Sequence, residues 1–241
     1  MSRLPRAAGR VLAAAGGEAV LESSRAGRPQ RVHAVRVAAK KLRTYWRVLR
    51  PALGRASADR RGRALSRAAR VLAGERERDV LAGLARKLSR SEKDLARPLA
   101  GFARRRPAPG RAGALERRLR AVEARLADSE RELERDAKGA RRRDLRKGLK
   151  RLERKLERAR ERARRKGEPA DIHRCRKRAK DLKYVFEAFG MRPKSARRFG
   201  KAADELGDAR DLRTLASRAG LEDGRLEKRA RKLERSGLSR L

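Results

Sequence analysis

Apolar residues recur along this chain at intervals of three and four, the spacing that puts them on one stripe of an α-helix. Between residues 115 and 165 they fall at Leu115, Leu119, Val122, Leu126 and Leu133, then at Leu145, Leu149, Leu152 and Leu156. Arg and Glu fill most of the positions between, which predicts ion pairs along exposed faces. The pattern predicts two long amphipathic helices that turn near Lys138 and Gly139 and lie against each other as an antiparallel hairpin. Residues that favour strands, the β-branched and aromatic types, are sparse throughout, so the fold class expected is all-α. Breaks are expected where Gly and Pro cluster: Gly27 to Pro29, Pro51 to Gly54, Pro107 to Gly113, Gly167 to Pro169 and Gly190 to Pro193.

A second stripe occurs twice, 140 positions apart and without a gap. Val32, Val35, Ala39, Leu42, Trp46 and Leu49 are matched by Ile172, Cys175, Ala179, Leu182, Phe186 and Phe189. Beside each stripe runs a set of basic residues: His33, Arg36, Lys40 and Arg43 in the first copy, His173, Arg176, Lys180 and Lys183 in the second. At about 100° per residue each set falls within a sector of roughly 80°, so four side chains project from one side of each helix. A helix packed through its apolar stripe would hold this ridge at the edge of the core, and two such helices could converge on one basic groove. Lys41, Arg47 and Lys177 border the ridges as second-rank contacts. His33 and His173 are the only histidines in the chain, and both head the same pattern. Each is read as a donor to phosphate oxygen. Neither has a second ligand at metal-binding spacing, so no metal is expected.

The charge balance gives this ridge a partner. The chain carries 72 Lys and Arg against 31 Asp and Glu, a formal net charge of +41. Such a surplus repels itself in a compact fold, and an anion that binds the folded state relieves it. Aromatic residues make up only 3% of the chain, leaving few platforms on which bases could stack. The chain is equipped for phosphates, and the first reading is a polyanion bound by electrostatics. Nucleic acid bound through charge alone, without sequence specificity, is the alternative. No phosphate-binding glycine loop is present and no carboxylates cluster on the basic face for Mg²⁺, so neither an enzyme nor a cofactor is expected. Cys175 is alone and occupies the place of Val35, which suits a buried small hydrophobe. The run Val11 to Ala15 is broken by Gly16, Gly17 and Glu18 too early for a secretory signal, and no stretch approaches a membrane span; the expected compartment is the cytoplasm.

The segments VHAVRVAAKKLR (32–43) and IHRCRKRAKDLKY (172–184) resemble the two signatures of the CHAD domain, a helical family named for its histidines. A further feature of that family, an Arg followed by an acid shortly after a glycine, is matched by Arg210 and Asp211 in LGDARDL. In the first half LAGERERDV offers Arg76 followed by Glu77, where the family pattern has Asp. These Arg and acid pairs read equally as ordinary surface ion pairs or as positioning residues beside the ridge. The resemblance covers about residues 28–236. It implies two pseudo-symmetric antiparallel helical bundles around a basic central groove that accommodates inorganic polyphosphate, and association with polyphosphate granules. On this reading residues 1–27 form an N-terminal extension that could be helical, 28–137 the half with the first His motif, and 138–241 the half with the second.

Overall fold

A computed structural model of the chain describes residues 4–104, 111–221 and 224–241, with the side chains of residues 28, 29, 76, 111 and 112 also left outside the description. Among the described residues ten α-helices follow one another: α1 (Ala8–Arg25), α2 (Arg28–Leu53), α3 (Arg55–Arg70), α4 (Ala73–Ser91), α5 (Ala96–Arg104), α6 (Arg111–Lys138), α7 (Arg142–Lys166), α8 (Pro169–Ala188), α9 (Pro193–Ala219) and α10 (Gly224–Ser239). A 3₁₀ turn, Lys93–Leu95, links α4 to α5, and no strand occurs among the described residues. The all-α class is therefore observed.

Most boundaries sit where Gly and Pro place them. Gly167 adopts the left-handed conformation after α7 (φ 66°), which side chains with a Cβ resist, and Pro169 opens α8. The breaks at Leu72 and Glu92 carry neither residue, which is why the pattern did not predict α3, α4 and α5 as separate helices. The expected break at 107–113 lies largely outside the described residues.

The predicted hairpin is corrected by the packing. α6 and α7 do turn at Gly139, yet they do not pair along their length. α6 packs against α1 and α2, whereas α7 packs against α2 and α8. Glycines permit these crossings: a Cβ at Gly148 of α7 would overlap the Val48 carbonyl of α2, and one at Gly9 of α1 would overlap the Ala137 carbonyl of α6. Trp46 of α2, fully buried, donates its indole N–H to Ser129 Oγ on α6 at 2.9 Å and lies beneath the Arg61 guanidinium. Its truncation to Ala would cost roughly 3–5 kcal/mol.

Two apolar cores result. The larger takes in α1, α2, α6, α7, α8 and the first half of α9, from Ala196 to Leu206. The smaller joins Leu81, Ala85 and Leu88 of α4 and Leu99 of α5 to Ala209, Leu212 and Leu215 of α9 and Leu226 and Ala230 of α10. Both cores draw on residues from each side of position 137, and α1 contributes Ala8, Leu12 and Ala19 to the first. α9 passes from one core to the other, and the groove lies at that passage.

Candidate anion-binding site

The apolar stripes of α2 and α8 are buried as their spacing predicts: Val35, Leu42, Trp46 and Leu49 are fully covered, as are Cys175 and Ala179. Burial also pushes the Cys175 thiol up to about 11, which keeps it protonated. With the stripes held in the core, the basic ridges emerge toward one cavity of about 400 Å³. It is lined by His33, Arg36 and Lys40 from α2, Arg176 and Lys180 from α8, Ala73, Glu77 and Val80 from α4, and Asp204, Asp208, Arg210, Asp211 and Thr214 from α9. Five of the eight ridge residues, with Arg210, thus meet around a single space.

The second ridge position is anchored alike in both helices. Arg36 donates to the Ala69 carbonyl at the end of α3 at 2.7 Å, and Arg176 donates through Nε to the Ala203 carbonyl of α9 at 2.9 Å. Gly207 leaves room for this second guanidinium, since a Cβ there would come within 2.6 Å of it. An arginine fixed by one donor still offers others to a phosphate oxygen. Lys180 reaches Asp204 at 3.3 Å, while burial and the neighbouring Arg176 lower its proton affinity.

Acidic residues line this cavity beside the basic ones. Asp204, Asp208 and Asp211 lie on one side of α9, and Glu77 joins them from α4, where it pairs with Arg218 at 2.6 Å. Burial, then Asp204 and Asp211, raise the Asp208 pKa. Among the described residues no three His, Cys, Asp or Glu side chains come together as a metal site. The spacing of the three aspartates was visible in the sequence; their direction was not, because it depends on how α9 packs.

Behind the cavity the basic residues lose their counter-ions. His173 is half-buried, its Nδ1 is covered without a hydrogen-bond partner, and its pKa is pushed down to about 4 by burial and then by Lys177, Arg210, Arg176 and Lys40. Lys177 is lowered by burial and then by Arg43, Arg178, Arg210 and Arg47. Burial lowers Arg43 first, with Arg47 and Arg178 adding to it and Asp181 opposing, and its Nε is covered and unpartnered. Burial lowers Lys155 on α7 as well, helped by Arg178, Arg50 and Arg47. One buried carboxylate serves this group: Asp181 accepts from Thr44 Oγ1 at 2.9 Å, Arg47 at 2.7 Å and Arg178 at 2.9 Å. Among the described residues His173, Arg43, Lys155, Lys177 and Arg210 have no carboxylate at ion-pair distance.

Two predicted residues point elsewhere. Lys41 pairs with Glu22 of α1 at 2.8 Å, and Lys183 lays its methylenes on Gly200 and approaches Glu187 at 3.7 Å. Neither lines the cavity. The Arg76 side chain lies outside the described residues. Lys155, Arg178 and Asp181 were missed. Asp181 had a signal, since it stands in the second motif where the first has Lys41. Lys155 had none, because α7 is rich in Lys and Arg throughout.

No helix among the described residues is long and apolar enough to cross a membrane. No curated protein and no solved structure matches the chain. The CHAD domain family model matches residues 11–220, which starts earlier than the resemblance suggested, within the α1 helix that packs into the larger core, and stops before α10.

Proposed function

Since the chain belongs to the CHAD domain family, which is associated with polyphosphate binding, we propose that it binds inorganic polyphosphate in this groove without chemically altering it. The observation that carries the reading is the convergence of His33, Arg36 and Lys40 with Arg176, Lys180 and Arg210 on one cavity, backed by Lys177, Arg43 and Lys155, which among the described residues have no carboxylate at ion-pair distance. A chain of phosphates would compensate this concentrated positive charge, and its counterions would be released on binding, making affinity steeply salt-dependent. The two anchored arginines supply oriented forks, and the lysines supply mobile point charges. The same chemistry would place the protein on polyphosphate granules in the cytoplasm.

Competition at one fixed salt concentration tests this reading against weaker, charge-only binding of nucleic acid. Long polyphosphate is expected to displace labelled duplex DNA or single-stranded RNA at far lower phosphate concentration than unlabelled nucleic acid does. Equal competition per phosphate would favour the nucleic-acid alternative, and Mg²⁺-dependent release of orthophosphate would overturn the non-catalytic part.

A further inference from the structure

α6 and α7 are neighbours in the chain and similar in length, yet they treat their surface charges differently. On α6 three exposed cations are matched within the helix: Arg120 with Glu116, Arg131 with Asp128, Lys138 with Glu134. On α7, Arg151, Lys155, Arg158 and Arg162 follow at intervals of four, three and four, so they share one face over about 17 Å of helix. None of the four has a carboxylate at ion-pair distance among the described residues. Two of the three glutamates of this stretch are taken by other residues: Glu153 by Arg192 at 2.8 Å and Glu157 by Arg160 at 3.5 Å. Arg151 also keeps a covered NH1 donor without a partner. At Lys155 this row meets Arg47, Arg50 and Arg178, the far side of the cluster behind the cavity. The opposite end, the cavity itself, holds Asp204, Asp208 and Asp211.

We infer that the anion path leaves the cluster around Asp181 along α7, over Arg151, Lys155, Arg158 and Arg162, so that the ligand is a phosphate chain long enough to run from the cavity to this face. This rests on the polyphosphate reading and narrows it to extended chains over compact oligophosphates. A short anion held in the cavity meets aspartates as well as cations, and leaves the α7 row uncompensated. An extended chain gains from both.

The test is binding of triphosphate and of polyphosphate about 100 units long to the full chain and to two variants of equal charge change. R158E/R162E reverses two exposed members of the row; R143E/R146E reverses two exposed arginines on another face of α7. Relative to R143E/R146E, R158E/R162E is expected to weaken long-chain binding by about ten-fold or more and triphosphate binding by less than about two-fold. R158A/R162A gives the same ordering at smaller amplitude should reversal disturb folding, as read by thermal unfolding. Equal losses in the two reversal variants, or equal losses at both lengths, would overturn the inference and leave the groove standing. Failure of the unmodified chain to bind either length would overturn the polyphosphate reading, and this extension with it.

Discussion

The two copies of the basic motif share their spacing but not their surroundings. In α2 the leading His33 is exposed, and the ninth position, Lys41, turns to Glu22 on α1. In α8 the leading His173 is half-buried among four cations, and the ninth position is Asp181, a buried carboxylate that gathers Thr44, Arg47 and Arg178. The first copy presents charge at an open mouth. The second is built into the junction of helices, where charge is costly unless compensated, and there the protein supplies its own internal anion. What differs between the copies is therefore how far each depends on an external anion.

Reversing the charge at equivalent ridge positions tests that difference most strongly. K40E and K180E each place a carboxylate in the cavity, and each is expected to lower polyphosphate affinity by about ten- to hundred-fold, corresponding to roughly 1.4–3 kcal/mol. K180E is expected to be the more severe, because it removes the cation that Asp204 pairs with and leaves that carboxylate beside a second acid. Isothermal titration at constant salt measures both. Losses equal to that of R143E/R146E would mean that total charge, rather than the ridge, governs binding.

Asp181 gives the second contrast. D181N removes the carboxylate shared by Arg47 and Arg178 while keeping the shape, and is expected to lower stability by about 3 kcal/mol in the free protein. Saturating polyphosphate should restore part of that loss, since an external anion then compensates the same cations. The corresponding change in the first copy, K41A, should leave stability within about 0.5 kcal/mol. Urea unfolding with and without ligand checks this, and an unchanged midpoint for D181N would remove Asp181 from its proposed role.

Much of this was legible in the chain itself. The repeat of residues 31–50 at 171–190 located both site helices, because apolar spacing decides which side of a helix is buried and so which side its neighbours present. Arg36, Lys40, Arg176 and Lys180 reach the cavity for that reason. Lys183 shares their spacing but leaves the cavity, since Gly200 of α9 offers its methylenes a surface to lie on. The pairing of α6 with α1 rather than α7 was beyond reach: it depends on Gly9 and Gly148 allowing backbones to touch, and a lone glycine in a helix gives no partner. The aspartates of α9 were readable as a row but not as a wall of the groove, because α9 crosses between two cores and the facing helices decide its direction.

His173 should make both stability and binding depend on pH. In the free protein the His173 imidazole, surrounded by Lys177 and Arg176 of α8, Arg210 of α9 and Lys40 of α2, stays neutral down to about 4. In the unfolded chain it would protonate near 6.5. Between those values the unfolded state holds more protons, so this residue's contribution is present above about 6.5 and is lost as pH falls through about 4. A bound polyanion raises the proton affinity of the same ring, so ligand binding should strengthen with acidity in that window. H173Q is expected to flatten both dependences. NMR titration of the two rings with and without polyphosphate reads this directly, and an unshifted His173 would end the proposal that it donates to phosphate.

The smallest effects are expected where the pattern and the structure part company. K41A breaks an exposed contact with Glu22, and such pairs contribute about 0–1 kcal/mol. K183A removes a charge that lies along α9 and approaches Glu187 rather than the cavity. Each should change polyphosphate affinity by less than about two-fold, close to the effect of removing any one distant charge at moderate salt. Of the two, K183A is the sharper measurement, because Lys183 belongs to the ridge by spacing and lies outside it by packing. A loss approaching that of K180E would show that the bound anion continues one turn further along α8, and that the side chain leaves Gly200 to meet it.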